Sequence, residues 1–195
     1  MGREICRPDS AGDGVRMIFK GTKLRGAFII EPERIEDERW FFARTFCRKE
    51  FELHGLNSKI VQCSVSYNKK KGTLRGMHYQ TAPFQETKVV QCTLGAVYDV
   101  ILDLRPDSPT FRQWEAVELS NINKRMVFVP EGCAHGFQCL DDDTAMFYQL
   151  SEFYDPGSAL GVRWDDPAFK ITWPLPVSVI SKRDESFAFF DLQIC

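Results

Sequence analysis

Residues suited to acid–base chemistry are scarce in this sequence, because its 195 residues include only three histidines. His54 stands beside Gly55 at the end of a predicted short helix, where a cation complements the helix dipole. His78 lies in the segment 72–80, and His135 lies in the segment 130–137. A histidine with an ordinary pKa of about 6.5 can take up and release a proton near neutral pH. His78 and His135 are therefore the candidates for chemistry, although a histidine that only bonds within the core is the simpler alternative for His78.

The sequence around His135 reads Pro-x-Gly-x-x-His and follows the apolar run 126–129. This pattern resembles the second half of the cupin signature, which belongs to a small jelly-roll barrel. The first half has His-x-His followed by a glutamate, but here Gln80 stands in the second histidine position and Glu86 lies further downstream. A first-row metal in such a barrel requires three or four His and carboxylate ligands. The sequence therefore predicts a barrel without a metal, and a metal-dependent cupin oxygenase is the disfavoured alternative.

Short β-rich segments follow one another closely from residue 58 onward. We expect strands at 60–67, 88–92, 96–104, 114–119, 126–130, 136–140 and 145–150. A short helix is expected over 46–54, closed by Gly55. This pattern predicts a mainly all-β fold, a cupin-type jelly-roll β-barrel with a few short helices. The Pro- and Trp-rich last 40 residues are expected to wrap around the barrel.

Length and charge bound the organisation and the partners. We expect one domain over 1–195, in which residues 1–25 form a possible loose N-terminal arm. Lys plus Arg is 25 and Asp plus Glu is 27, so there is no basic excess for a nucleic-acid partner. No apolar run approaches the roughly 18 residues of a spanning helix, and the first residues lack an apolar signal core. The expected location is therefore the cytoplasm, without a membrane partner.

The seven cysteines are irregularly spaced and contain no Cys-x-x-Cys motif. They are Cys6, Cys47, Cys63, Cys92, Cys133, Cys139 and Cys195. We interpret them as mostly buried, reduced thiols rather than a disulfide framework or a zinc site. Cys133 lies close to His135 and is a nucleophile in principle, but a small core residue is the favoured interpretation.

Five segments together resemble the dTDP-4-dehydrorhamnose 3,5-epimerase family. They are 72–80 with Lys88, 97–105, 130–137, 163–167 and 181–184, and the resemblance covers about 39–184. It implies an isomerase that needs no cofactor and inverts C3 and C5 of a nucleotide-linked 4-keto-6-deoxy hexose, converting dTDP-4-dehydro-6-deoxy-D-glucose to dTDP-4-dehydro-L-rhamnose. It also implies a homodimer. A C3-only epimerase and a non-catalytic sugar-nucleotide binding module are the alternatives.

The resemblance assigns a catalytic role to each of four residues. His78 is the base that removes a proton beside the ketone, and Asp184 is its carboxylate partner. Lys88 stabilises the charge of the enolate. Tyr148 is the acid, because a phenol with a pKa near 10 rests protonated at neutral pH. Taken singly, Lys88 and Tyr148 are more simply explained as a solvated strand lysine and a wall tyrosine, whereas together in the family order they favour a site.

The resemblance also implies residues that bind the nucleotide and the sugar. They are Arg39, Phe42, Arg75, Asp99, His135 and Tyr154. Arg39 and Arg75 suit diphosphate oxygens, since their guanidinium forks are planar. His135 is expected to add a contact at the barrel mouth, and Asp99 to orient His135 or Lys88. The aromatic side chains are expected to line the pocket for the base and the sugar.

Five positions depart from the family pattern. Trp40 stands where many members have glycine, and Arg44 aligns with a glutamate near the nucleobase. Glu86 replaces the usual glutamine two residues before the site lysine, and Gln91 and Leu94 replace common arginines. These changes leave the predicted catalytic set intact, and they leave the nucleobase and the exact sugar open.

Overall fold

The fold is built almost entirely of strands in a computed structural model that describes residues 14–190. Within this range the strands are β1 (Met17–Gly21), β2 (Phe28–Pro32), β3 (Arg34–Asp37), β4 (Trp40–Ala43), β5 (Gln62–Asn68), β6 (Leu74–Gln80), β7 (Lys88–Leu94), β8 (Ala96–Asp103), β9 (Trp114–Ser120), β10 (Met126–Val129), β11 (Cys133–Cys139), β12 (Thr144–Leu150) and β13 (Ala159–Gly161). The helices are α1 (Arg48–Leu53) and α2 (Lys182–Glu185). The expected all-β class with a few short helices is confirmed.

Two antiparallel sheets enclose the main core. The larger sheet has the order β1-β2-β10-β7-β12-β5, and the smaller has the order β13-β6-β11-β8-β9. Val90 and Met146 of the larger sheet pack in one cluster with Ile101 and Phe137 of the smaller sheet. Alternating side chains of each strand thus fill the space between the sheets, as expected for a jelly-roll barrel.

A second apolar cluster explains the helix near residue 50. Phe51 of α1 is fully buried and packs with Ile30 of β2 and Phe128 of β10. The helix ends at His54, and Gly55 follows with a positive φ of 68°, which glycine adopts without steric cost. The predicted helix over 46–54 is confirmed, with bounds shorter by two residues at the start and one at the end.

The N-terminal part differs from the expectation. Residues 1–13 of the predicted arm lie outside the described residues, but 17–21 form β1 and pair with β2 along its whole length. Met17 is buried there, so these residues belong to the sheet rather than to a loose arm. The segments β3 and β4, which the sequence did not predict as strands, form a separate two-stranded ribbon. Charged and aromatic residues alternate too irregularly in this ribbon to give a period-2 pattern.

The C-terminal residues cross the smaller sheet, as expected from their composition. Phe169 and Trp173 pack against Val100 and Leu102 of β8. Further along, the ring of Phe187 lies so close to Gly161 that an added Cβ would overlap it. This packing places α2 beside β6 and brings residue 184 next to residue 78.

The described cysteines are all free thiols. Cys92, Cys133 and Cys139 are buried, whereas Cys47 is partly buried and Cys63 is exposed. The predictions for Cys6 and Cys195 lie outside the described residues. Over residues 14–190, the structure contains no helix that is long and apolar enough to cross a membrane.

Candidate active site

His78 of β6 and Asp184 of α2 form a hydrogen-bonded pair. His78 Nε2 lies 2.7 Å from Asp184 Oδ1, and the backbone N–H of Gly76 donates to Asp184 Oδ2 over 3.1 Å. Ser181 Oγ caps α2 by accepting from the backbone N–H of Asp184 at 3.0 Å. Burial raises the pKa of Asp184, but the hydrogen bond from His78 and the other donors outweigh it, so the pKa lies below its usual value. Asp184 is therefore ionised at neutral pH and can stabilise a protonated His78.

Lys88 begins β7 and extends its ammonium group toward the same region. Its Nζ lies 3.3 Å from the carbonyl oxygen of His78 and 3.2 Å from Glu86 Oε1. The lysine side chain is only 10 % exposed. The alternative of a solvated strand lysine does not fit this burial.

Tyr148 lies on β12, in the opposite sheet. Its hydroxyl is 3.1 Å from Ser66 Oγ on the neighbouring strand β5. Burial, which outweighs the hydrogen bond with Ser66, raises the pKa of this phenol well above its usual value. Tyr148 therefore keeps its proton at neutral pH.

His135 and Asp99 form a second, deeper pair. His135 is directly opposite His78 in the pairing of β11 with β6, so both histidines lie on the same face of the sheet. His135 Nε2 is 2.8 Å from Asp99 Oδ2, and both side chains are buried. The ring of His135 meets that of Tyr148 edge to face, with centroids 6.4 Å apart. Asp99 thus orients His135, while the predicted contact of His135 with the nucleotide stays a prediction.

An open cavity of about 200 Å³ collects the candidate catalytic residues. Its wall consists of His78, Tyr79, Gln80, Glu86, Lys88, Tyr148, Leu150, Tyr154, Ala159, Leu160 and Arg183. Three of the four predicted catalytic residues therefore line one cavity, and the fourth, Asp184, lies directly behind the histidine. Groups from both sheets face this space, which is the arrangement that inversion at carbon requires.

The predicted nucleotide residues are distributed differently. Tyr154 lines the cavity, and its hydroxyl lies 3.4 Å from Arg183 Nη1. Arg75 is exposed on β6 and donates to Asn68 Oδ1 over 2.7 Å. Arg39 and Phe42 lie on the β3–β4 ribbon and do not line the cavity; Arg39 pairs with Asp37 and is largely exposed. Their roles toward a nucleotide stay predictions.

Two other chemistries find no support among the described residues. Burial raises the pKa of the Cys133 thiol to about 12, so this residue is a core thiol rather than a nucleophile. Residues 14–190 contain no cluster of three His, Cys, Asp or Glu side chains that could hold a metal ion. Gln80, in the position of a cupin metal ligand, instead donates to the carbonyl oxygens of Phe84 and Phe153 and fixes two loops.

The sequence model of the dTDP-4-dehydrorhamnose 3,5-epimerase family matches residues 21–191. The chain belongs to this family. A curated relative of that name from Methanothermobacter thermautotrophicus is 41 % identical over 172 residues, which cover 87 % of this chain and 92 % of the relative. The family resemblance and the expected class of isomerase are confirmed.

Solved structures of epimerases have the same fold. The enzyme from Bacillus anthracis, solved with TDP and PPi bound, superposes with a TM-score of 0.87 at 39 % identity, covering 90 % of this chain and all of that one. The Legionella pneumophila enzyme, in complex with dTDP-4-keto-L-rhamnose, gives a TM-score of 0.84 at 38 % identity over 89 % and 93 % of the two chains.

Sequence reasoning missed several residues of the epimerase site. Arg183 lines the cavity, and its neighbour Asp184 was found only through the family motif. Ser66 holds the hydroxyl of Tyr148, but a serine in a β-rich run carries no signal of that role. Glu86 was noted as a departure from the family pattern, and its ion pair with Lys88 is visible only in the structure.

Proposed function

We propose that this chain acts as a single epimerase domain that inverts C3 and C5 of dTDP-4-dehydro-6-deoxy-D-glucose without a cofactor. The product is dTDP-4-dehydro-L-rhamnose. The observation that carries the proposal is the pair of His78 and Asp184, set in one cavity with Lys88 and Tyr148. The family membership supports the choice of substrate.

The chemistry of the substrate explains why these four groups suffice. The ketone at C4 acidifies the protons at C3 and C5, so a side-chain base can remove them. His78 accepts the proton, and ionised Asp184 stabilises the imidazolium that forms. Lys88 supplies a positive charge and an N–H for the oxygen of the enolate. Tyr148 then returns a proton to the opposite face of the carbon, which completes the inversion.

The deciding experiment is proton NMR of the substrate with the enzyme in heavy water. We expect deuterium to enter at both C3 and C5, because each inverted centre regains its hydrogen from solvent-derived deuterons. Exchange at C3 alone would identify a C3-only epimerase. Binding without exchange would identify a sugar-nucleotide binding module and would refute the proposed function.

We also propose that the epimerase is a homodimer. Val65 and Tyr67 of β5 and Leu94 of β7 are exposed apolar residues on the larger sheet, and Trp40 and Phe42 of the ribbon are 74 % and 65 % exposed. Apolar surface of this kind is typical of a buried interface. Since Arg39 and Phe42 do not line the cavity of their own chain, in this proposal the ribbon of a second copy completes its nucleotide end.

Sedimentation equilibrium tests the dimer. The protein is expected to sediment at twice its chain mass of 22.5 kDa, and Val65→Asp is expected to shift it toward the monomer. An unchanged mass for the variant would place the interface elsewhere, and a wild-type monomer would refute the dimer.

We propose that the protein is located in the cytoplasm. The five described cysteines are free thiols, which fits a reducing compartment. The partner there is a small nucleotide sugar, with no nucleic acid and no membrane. Cell fractionation with an antibody against the protein tests this location, and recovery in the membrane or secreted fraction would refute it.

A further inference from the structure

Glu86, which forms a buried ion pair with Lys88 in the cavity, is not used by the mechanism above. Glu86 Oε1 lies 3.2 Å from Lys88 Nζ, and the two side chains are 9 % and 10 % exposed. Both residues line the cavity. The negative charge of Glu86 repels a developing enolate and offsets part of the attraction between that enolate and Lys88. The presence of a carboxylate at this position therefore requires an explanation.

The loop that leads to Glu86 is held in place by a buried amide. Gln80 Nε2 donates to the carbonyl oxygens of Phe84 at 2.8 Å and Phe153 at 3.1 Å, and it lies 3.4 Å from Glu86 Oε2. On its other side, Gln80 Oε1 accepts from the backbone N–H of Asp155 at 2.8 Å. The chain just before Glu86 is thus fixed.

We propose that Glu86 is a positioning residue, which fixes the ammonium group of Lys88 so that one N–H points to the oxygen of the developing enolate. The inference rests on the proposed function of the same site. Lys88 is joined to the barrel by a flexible four-carbon stem, and a donor stabilises a transition state best when its direction is set beforehand.

The donor count of the ammonium group supports this role. An ammonium group has three N–H donors. One is directed to Glu86 and one to the carbonyl oxygen of His78, 3.3 Å away. Two fixed acceptors define the orientation of the group and leave the third N–H for the substrate. Without Glu86, only the long contact to His78 remains, and the ammonium group turns freely toward the cavity.

The fixed direction outweighs the repulsion in this proposal, and the two effects predict opposite results for Glu86→Leu. The leucine has about the same size and removes both the charge and the oxygen atoms that accept from Lys88. If direction dominates, kcat falls by roughly 10- to 100-fold, the loss of one charge-assisted hydrogen bond, while KM changes by less than about threefold. If repulsion dominates, kcat rises.

A double-mutant cycle with Lys88→Ala gives the decisive test. Lys88→Ala alone is expected to lower kcat by roughly 10²–10³, as for the loss of one placed donor. In the Lys88→Ala background, Glu86→Leu is expected to change kcat by less than about twofold, because Glu86 acts only through the lysine. The proposal would be overturned if the effects of the two changes on kcat multiply, or if the kcat of Glu86→Leu is at or above that of the wild type.

The matched control is Glu31→Leu, since Glu31 forms an ion pair with Lys20 at 2.5 Å outside the cavity. It is expected to leave kcat unchanged. The thermal unfolding temperature of each variant shows whether a lower kcat comes from unfolded protein or from a misplaced Lys88 in a folded protein. Absence of exchange in the wild-type protein would instead refute the proposed function, so the two failures are distinguishable.

Discussion

Replacing Asp184 by asparagine isolates the charge behind the proposed base. The side chain keeps its size, but its single amide oxygen can accept from His78 Nε2 or from the N–H of Gly76, not from both. The positive charge that forms on His78 during proton removal then lacks its partner. The expected result is slower proton removal with the binding pocket intact.

The size of the effect follows from the geometry. Two unit charges about 4 Å apart attract by about 4 kcal/mol at an effective dielectric constant of about 20. The side chain of His78 is 38 % exposed, so solvent screens part of this attraction. We therefore take about 2–3 kcal/mol for the lost stabilisation. Because 1.36 kcal/mol is a factor of ten in rate, deuterium exchange should slow by roughly 30- to 150-fold.

Two measurements on the same variant check this reasoning. Heavy-water NMR gives the exchange rates at C3 and C5, and calorimetry with dTDP gives the affinity, which should stay within about threefold of wild type because Asp184 lies behind the cavity wall. Equal losses in affinity and exchange would refute the pairing of Asp184 with the base. An exchange rate within threefold of wild type would show that the charge is not needed.

Three further predictions concern the acid, metal independence and stability. Tyr148→Phe should still wash deuterium into the substrate through His78, whereas net inversion should fall by roughly 10²–10⁴; joint loss of both would assign Tyr148 to proton removal or binding. Enzyme dialysed against a chelator should keep its full activity, and activity restored only by a divalent ion would contradict this. Asp103 accepts hydrogen bonds from Arg105, Ser108 and Thr110. Burial raises its pKa, but these bonds outweigh burial and leave the pKa lowered. Asp103→Asn should therefore lower the free energy of unfolding by about 3 kcal/mol at pH 7 in urea titrations. The difference should shrink as the pH falls below about 4, where the unfolded chain takes up the proton first. A difference independent of pH would contradict this account.

Seven of the nine strands after residue 58 could be predicted from the sequence, because each has its own β-rich residues and a turn on either side. The sequence did not predict β6, which carries His78, or the three-residue β13. The segment predicted at 60–67 became β5 (Gln62–Asn68), and that at 145–150 became β12 (Thr144–Leu150). The ribbon β3–β4 could not be predicted, since none of its strand residues is buried and all four residues of β3 are exposed. Trp40 has a positive φ of 113°, a conformation that is uncommon for residues other than glycine. This explains why the family often has glycine at this position. A tryptophan in the sequence, however, gives no sign of a positive φ.

The candidate site was predictable only as far as the family motifs reach. His78 and Lys88 were found through one family segment, 72–80 with Lys88, and Asp184 through another, 181–184. Their spacing of up to 106 residues gives no local signal that they meet, because the contact depends on how the C-terminal residues cross the smaller sheet. The ion pair of Glu86 with Lys88 likewise depends on the loop held by Gln80.

The proposed base His78 and its carboxylate partner Asp184 lie 106 residues apart in the sequence. His78 lies in the middle of a strand, whereas Asp184 is delivered by the last short helix, which docks by way of Phe187 against Gly161. During synthesis, the strands of both sheets leave the ribosome before residue 184 does. The barrel can therefore assemble while its base is still unoriented, and catalytic competence appears only when the C-terminal residues dock.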